Sequence, residues 1–335
     1  MADNRRINSI DIARLLAAIL VVAIHTQAIT WFPGRANGNI QILTRVAVPF
    51  FFCTSGFFLH KNYANRGFPA IVATFWKTVK LYFFLSLVYF TVVFLSAPAL
   101  LHEPKKWMLV DFLFNGSYYH LWYMVGIAYS IAIIYLVCKL KLMKILPSLA
   151  VICYVIGLLG TSYYGIGNRV PALNILFDGG WFLSIRRIFF MGFPFTALGW
   201  TISQGQLKLH IPKKYLLIAT MLVALLFVAE IIIVTVTGMS RSVETTVFLY
   251  PLLFLLFQIC LAYPIEWKSR LASFCRDTAY FTYFWHPLII LVLRRVVDAN
   301  FPLFVITTAA CLILGLGYHA LKGHRRLTYE HHSKI

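Results

Sequence analysis

Residues 9–30 read SIDIARLLAAILVVAIHTQAIT, an apolar stretch that carries an acid, a cation and a histidine. It is long enough to cross a lipid bilayer as a helix, where ionisable groups are costly and usually functional. Arg14 and His25 are eleven positions apart, close to three helical turns, so both lie on one face about 16 Å apart along the axis. Asp11 precedes Arg14 by three positions, a spacing that allows a buried ion pair. The stretch predicts a membrane helix that joins a fixed cation to a titratable base.

The composition of the whole chain is typical of membrane proteins. Of its 335 residues, 60% are hydrophobic, 16% are aromatic and only 12% are charged, far from the range of soluble domains. The net charge of +19 does not indicate nucleic-acid binding, because the basic residues fall in short runs between apolar spans. We expect an all-α polytopic membrane protein that forms a single domain over residues 1–335, with its helices around a central pocket or tunnel.

Apolar stretches of membrane-crossing length recur along the chain. They predict ten transmembrane helices, near residues 9–30, 40–59, 72–96, 120–138, 145–162, 182–203, 215–237, 245–263, 279–297 and 302–321. Lysine and arginine are more frequent in the connecting segments on the side of the N-terminus, which predicts that this side is cytoplasmic. Because the number of spans is even, we expect both termini of this multi-pass protein on the cytoplasmic side of the cell membrane.

The cysteines and the common catalytic motifs narrow the functional classes. None of the six cysteines has a paired spacing, and we expect neither a disulfide nor a metal site; they are Cys53, Cys138, Cys153, Cys260, Cys275 and Cys311. The sequence also has no Gly-rich phosphate loop, Cys-His ligand set or nucleophile elbow. These absences weigh against an ATPase, a zinc enzyme and a soluble-type hydrolase.

Spans two and four carry polar residues of their own. Arg45 lies near the outer end of span two, and we expect Pro49 to bend the middle of this span. Gly56, directly after Ser55, lets another backbone approach closely, so this span predicts either a cavity or only close helix packing. His120 enters span four within a cluster of aromatic residues. An interfacial belt explains the aromatic residues but not the histidine.

Spans six, seven and nine add further buried groups. Arg186 and Arg187 enter span six from the outer side, where they can face a pocket. Glu230 is a lone acid in span seven, so it is either protonated and hydrogen-bonded or faces a polar cavity. His286 directly precedes Pro287 in span nine, where a structural histidine and a catalytic one fit equally well.

Several segments, taken together and in order, resemble one known family. The pattern Asp11-x-x-Arg14-x10-His25, the VPFFFCTSGFF segment with Ser55-Gly56, the YHLWYM around His120, the FTALG stretch and the YFWHP of span nine are similar to the acyltransferase-3 family of integral membrane acyltransferases. The RVAVPFFF and NGSYYHLWYM stretches resemble the membrane part of serine racemases associated with glycopeptide resistance, in which a cytoplasmic racemase domain follows. This chain stops at Ile335, so we expect no such domain in it.

The resemblance implies transfer of an acyl group, usually acetyl from acetyl-CoA, to a hydroxyl or amine of a cell-envelope carbohydrate, peptidoglycan or similar acceptor. His25 matches the essential histidine of the family and Arg14 matches its partner arginine. Many members have an arginine-rich motif at the start of span three, where this chain has Lys77 and Lys80. The two lysines are a departure from the family pattern. Lysine lacks the bidentate fork of arginine, so these positions would bind the CoA donor differently from the arginines of the family.

The expected chemistry agrees with these positions. A neutral imidazole in a partly apolar span can take the proton of the acceptor near pH 7. We expect His25 to be the base and count Arg14 and Asp11 among the catalytic residues. Arg14, Lys77 and Lys80 would bind the donor phosphates at the cytoplasmic end. Other side chains are candidates to orient the base or to stabilise an oxyanion: Arg45, Ser55, His120 and His286.

Two functional classes remain open. The enzyme would use acyl-CoA as co-substrate with no bound cofactor, and its partners would be an envelope glycan or lipid-linked acceptor and membrane lipids, with no nucleic acid. The alternative is a transporter of serine or a similar small amino acid, with substrate or proton sites at buried ionisable residues: Arg14, Arg45, Glu230 and His286. Inverted repeats and paired broken helices, the usual signs of a transporter, are not evident, so the sequence favours an O-acetyltransferase.

Overall fold

Every regular element in the described part of the chain is helical. The computed structural model describes residues 7–28, 42–96, 108–207, 209, 211–265 and 269–332. Ten longer helices within these ranges follow the ten predicted spans: α1 (Asn8–Thr26), α2 (Ala47–Arg66), α3 (Phe68–Ser96), α4 (Trp122–Lys139), α5 (Leu146–Gly160), α6 (Phe193–Ser203), α7 (Lys213–Val236), α8 (Leu249–Ala262), α9 (Ser269–Leu293) and α10 (Asn300–His332). The all-α prediction is confirmed for these residues, whereas the predicted end of span one at residue 30 and start of span two at residue 40 lie outside them.

Shorter helical elements connect the long helices. Two 3-10 turns, Leu43–Val46 and Met143–Ile145, lead into α2 and α5. The helical turn Met108–Val110 continues as a π-helix, Asp111–Asn115. Between α5 and α6 the chain forms the short helices Tyr164–Gly167, Pro171–Asp178 and Gly180–Ile185 and the π-helix Arg186–Gly192.

Six of the described helices are long and apolar enough to cross a membrane. They are Asn8–Thr26, Phe68–Leu95, Trp122–Lys139, Met143–Gly160, Lys213–Val236 and Asn300–Lys322. Their outer faces carry large exposed apolar side chains, such as Phe83, Leu87 and Phe90 of α3, which are 57%, 66% and 50% exposed. Apolar surface of this extent is unfavourable in water. The fold is therefore that of a polytopic helical membrane protein, and the count of ten spans stays a prediction.

The chain forms two compact units, which we describe separately. The larger unit contains residues 49–255, and the smaller one contains residues 4–48 and 256–335. The two boundaries between the units fall within α2 and α8.

In the smaller unit, α1 packs against α9 and α10. The start of α1 is anchored by Ser9, whose hydroxyl donates a 2.5 Å hydrogen bond to the carbonyl of Cys260. Cys260 lies in the last turn of α8, where helix carbonyls lack a partner within the helix. The helix ends at Thr26, because Gln27 adopts a left-handed backbone with φ of 52°. His25 therefore lies in the last turn of α1.

In the larger unit, α2 and α6 cross at two glycines. A Cβ added to Gly56 would overlap the carbonyl of Thr196, and one added to Gly199 would overlap the carbonyl of Cys53. The predicted close backbone approach at Gly56 is thus confirmed. Pro49 does not bend the middle of a helix as we expected, since it is the third residue of α2. In the first turn a missing N–H breaks no helical hydrogen bond.

Candidate active site

The smaller unit brings two of the predicted histidines together. The rings of His25 on α1 and His286 on α9 are stacked, with their centroids 5.2 Å apart and their planes inclined by 26°. His286 is completely buried, whereas His25 is half-buried. His286 Nδ1 lies 2.8 Å from the carbonyl oxygen of Thr282, which can only accept, so Nδ1 carries the proton and Nε2 is the acceptor of the neutral ring.

Arg45 belongs to the same unit. It is half-buried in the turn Leu43–Val46, which packs against α1. The smaller unit therefore contains His25, His286 and Arg45, three of the residues predicted for the reaction centre.

A cluster of charges lies at the other end of α1. Arg14 Nη1 donates to Asp11 Oδ1 at 3.1 Å, as the spacing of three residues predicts. The other carboxylate oxygen of Asp11 faces Arg276 Nη1 of α9 at 3.6 Å. The side chain of Asp11 is only 7% exposed, whereas those of Arg14 and Arg276 are 22% and 23% exposed. One buried carboxylate thus holds two guanidinium groups that stay partly open to a ligand.

This cluster continues at Asp277, a residue that was not among the sequence-based predictions. Asp277 is buried and receives hydrogen bonds from His319 Nδ1 at 2.9 Å and from Lys322 Nζ at 2.5 Å. Asp277 precedes the predicted membrane crossing of α9. Burial alone would raise the pKa of Asp277, but the bonds from Lys322 and His319 and the nearby charge of Arg276 hold this pKa below its ordinary value. The adjacent charges Arg276-Asp277 at the head of span nine are the signal that could have revealed it.

The larger unit contains the other candidates for the reaction centre. Ser55 shares a 2.8 Å hydrogen bond with the hydroxyl of Tyr123 on α4. His120 is 1% exposed and its ring lies 4.8 Å from that of Tyr89. The rings of Tyr118 and Tyr119 are also within 6 Å of it, at 5.8 and 5.7 Å. The roles predicted for Ser55 and His120 stay predictions.

Glu230 is hydrogen-bonded, as one of the two alternatives for it required, while its protonation stays a prediction. Its carboxylate accepts the backbone N–H groups of Val247 at 2.6 Å and Phe248 at 2.9 Å, just before α8 begins. The hydroxyl of Tyr163 donates a third bond at 2.8 Å. Three donors and the positive end of α8 all face this carboxylate, so Glu230 anchors the start of this helix.

Arg186 and Arg187 share a carboxylate that the sequence analysis did not single out. The Nη2 atoms of Arg186 and Arg187 lie 3.0 and 3.1 Å from the same oxygen of Glu244. Glu244 lies between α7 and α8, and its side chain is 13% exposed. Glu244 and Arg241 are the charged residues of the segment between α7 and α8. An acid in this otherwise uncharged segment is the sequence feature that could have predicted the contact.

The two lysines predicted to bind the donor lie on α3. Lys77 and Lys80 are both exposed and are three residues apart, on one face of this helix. Their part in donor binding stays a prediction.

Comparison with known proteins complements this geometry. A family model described as an acyltransferase domain matches residues 7–319. An amino-acid racemase of Enterococcus faecalis is 29% identical in an alignment that covers 99% of this chain and 49% of the relative. A serine/alanine racemase of Enterococcus gallinarum is 30% identical over 65% of this chain and 32% of its own length. The chain thus spans about half or less of the curated relatives it matches, and no solved structure matches it significantly.

Proposed function

This chain belongs to the acyltransferase-3 family of membrane acyltransferases, and from that premise we propose that it transfers an acetyl group from acetyl-CoA to a hydroxyl or amine of a cell-envelope carbohydrate or peptidoglycan-type acceptor. The observation that carries the proposal is the stack of His25 on His286 at one end of α1, with the cluster of Asp11, Arg14 and Arg276 at the other. One helix therefore supports a base and a site for a phosphate-bearing donor.

His25 is the proposed general base. It takes the proton of the acceptor while the acceptor oxygen or nitrogen attacks the thioester carbonyl, so that a C–O or C–N bond forms and the C–S bond breaks. The departing CoA thiolate then recovers the proton from His25. Because His25 lies in the last turn of α1, the carbonyl end of that helix stabilises the imidazolium that forms in between.

The donor phosphates are proposed to bind at the opposite end of α1. Arg14 and Arg276 are held by Asp11 yet remain partly exposed, and charge-assisted hydrogen bonds to phosphate are strong. Arg14 lies about 16 Å from His25 along the axis of α1, a length that an extended pantetheine arm covers. The thioester then reaches His25 through a tunnel, and the acceptor need not cross the membrane.

Transport of a small amino acid is the alternative function. It draws support from a relative whose name includes serine and alanine. The environment of Glu230 weighs against it, because a carboxylate that already accepts three hydrogen bonds is poorly suited to carry a substrate or a proton.

The deciding experiment uses the purified protein in liposomes with radiolabelled acetyl-CoA and a panel of envelope fractions. We expect label in one fraction with the unaltered protein and none above background with His25→Ala. The same liposomes are incubated with external radiolabelled serine, and the label taken up inside them is measured. Serine uptake without any labelled fraction would replace the enzyme with the transporter.

A further inference from the structure

A second polar site lies in the larger unit, at the π-helix Arg186–Gly192. Arg186 and Arg187, the first two residues of this helix, both bind one oxygen of Glu244. A π-helix holds more residues in each turn than an α-helix, so consecutive side chains point in more similar directions. Such elements are frequent at functional sites.

The charges of this site do not balance. Two guanidinium groups share the single negative charge of Glu244, which leaves one positive charge in excess. The side chain of Arg186 is only 14% exposed, and an uncompensated cation is costly where the dielectric constant is low. An anion that binds beside Glu244 would remove this cost.

A buried donor atom without a partner supports the same conclusion. Arg186 Nε is buried and has no partner among the residues that the structure describes. Arg187 is more open, with 35% of its side chain exposed, and its guanidinium lies 5.5 Å from the centre of the Trp122 ring. The site therefore combines a buried arginine with one that a ligand can reach first.

The neighbouring Arg241 shows what a purely structural arginine looks like here. Its Nη1 donates to the carbonyl of Phe177 at 2.9 Å and lies 3.7 Å from Asp178 Oδ1. Its guanidinium also lies over the ring of Tyr164. Arg241 lies in the same segment as Glu244 and anchors this segment through Phe177 and Asp178. Holding the segment in place therefore does not by itself require Arg186 and Arg187.

We propose that Arg186 and Arg187 form an oxyanion-binding subsite for an envelope sugar that carries a carboxylate or a phosphate. Both groups match the planar fork of arginine. The inference goes beyond the proposed function and the proposed orientation of the chain. The binding of an oxyanion itself depends on neither.

Binding without acyl donor tests the subsite separately from catalysis. The probes are N-acetylmuramic acid for a sugar carboxylate, N-acetylglucosamine 1-phosphate for a sugar phosphate and N-acetylglucosamine as the neutral reference. Calorimetry on the purified protein should give a dissociation constant for one charged probe at least about tenfold below that of the neutral sugar. Which charged probe binds more tightly identifies the group that the subsite takes.

Variants assign the preference to the two arginines. Arg186→Gln should abolish the preference for the charged probe, and Arg187→Gln, at a more exposed position that folding tolerates better, should reduce it at least severalfold. Arg241→Gln is the matched control, which removes a guanidinium from the same region and should keep the preference. His25→Ala should also keep it, even if it transfers no acyl group.

Equal or absent binding of charged and neutral probes by the unaltered protein would overturn the subsite. So would an unchanged preference in Arg187→Gln, or an equal loss in Arg241→Gln. A protein that prefers the charged probe but labels no envelope fraction would instead overturn the proposed acyl transfer and leave the subsite in place.

Discussion

The position of His25 in the last turn of α1 matters more for its proposed role than its burial does. Backbone carbonyls at a helix C-terminus stabilise a positive charge within the final turn. A histidine acquires this charge when it acts as a base. The ring of His286 beside it donates its Nδ1 hydrogen to the carbonyl of Thr282. Because His25 lies in that final turn, we expect it to hold the proton during transfer.

Replacing His25 with alanine should lower the rate of acyl transfer by roughly a hundred- to ten-thousand-fold, because a positioned base contributes about that much. Donor binding should change little. His60→Gln is a suitable control, since His60 is a half-buried histidine bound to Ser203 in the larger unit. Initial rates and donor binding are measured on both variants, and a near-parental rate in His25→Ala would remove His25 from the mechanism.

Arg14→Lys tests the donor end of the same helix. The variant keeps a positive charge but loses the fork, so we expect acetyl-CoA to bind roughly tenfold or more weakly. The fold should survive, because Arg276 still faces Asp11. Donor affinity is measured by equilibrium binding and folded yield by size-exclusion chromatography. Unchanged affinity with collapsed yield would make the Asp11–Arg14 pair purely structural.

At the scale of the elements, the crossing of α2 and α6 depends on having no side chain at two positions. Helix association in membranes relies on close packing, which small residues permit. An added Cβ at Gly199 would meet backbone on two sides, since it would also lie 2.9 Å from the nitrogen of Phe57. Backbone on both helices cannot move aside as a flexible side chain can.

Gly56→Ala and Gly199→Ala should therefore destabilise the larger unit by about 3 kcal/mol or more, at or beyond the upper range for overpacked sites. Gly317→Ala in α10 is the matched control, because nothing lies within 4 Å of an added Cβ there. It should be neutral or stabilising by up to about 1 kcal/mol. Thermal unfolding in detergent measures all three, and equal melting temperatures would refute the tight crossing.

The contact of α9 with α10 through Asp277 should depend on pH. The pKa of Asp277 is lowered in the folded protein, so its stabilisation is fully present above its unfolded pKa of about 3.9 and is lost as the pH falls below that value towards the folded pKa. At pH 7, Asp277→Asn should cost about 1–2 kcal/mol, discounted because Lys322 and His319 are 38% and 30% exposed.

Melting temperatures of the unaltered protein and of Asp277→Asn, measured from pH 7 down to pH 3, check this prediction. The two curves should stay apart by a constant amount down to about pH 5 and converge below about pH 4. A gap that persists unchanged at pH 3 would mean that the carboxylate is not the source of the stability.

At the scale of the molecule, helix directions within each unit agree with a chain that crosses the membrane back and forth. In the smaller unit α1 and α9 run parallel, since Asp11 faces Arg276 near one end and His25 meets His286 towards the other. The helices α9 and α10 run antiparallel, because the contact of Phe274 with His319 is followed by that of Thr278 with Gly315.

The larger unit follows the same rule. Both α2 and α6 are even-numbered, and they run parallel: Gly56 packs on Thr196 and His60 bonds Ser203 further along. The odd-numbered α5 runs antiparallel to the even-numbered α8, as Thr161 meets Thr245 and Tyr154 meets Tyr250. These directions support the predicted alternation of spans.

Reporter fusions test the orientation directly. A fusion at residue 170, between α5 and α6, should report the outer side, and one at residue 205, after α6, should report the cytoplasm, because more positive charge flanks the cytoplasmic ends. Alkaline phosphatase and green fluorescent protein activities give the readout. The same side for both residues would contradict a complete crossing between them.

The sequence by itself determined the helices and the contacts within one helix. Long apolar runs must be helical in lipid, because each backbone group then finds its partner locally, and all ten predicted spans overlap described helices. The pairing of Asp11 with Arg14 followed in the same way from a spacing of three residues. Such contacts depend only on the period of the helix.

Only the tertiary structure decided which helix faces meet. It placed His286 on His25, added Arg276 to Asp11 and put Glu244 between Arg186 and Arg187. These partners are far apart in the chain, and their contact depends on how each helix is rotated about its axis. That rotation results from the packing of all faces of the helix at once, so no local pattern of residues encodes it. The crossing at Gly56 and the end of α1 at Thr26 are examples of features that the tertiary structure adds.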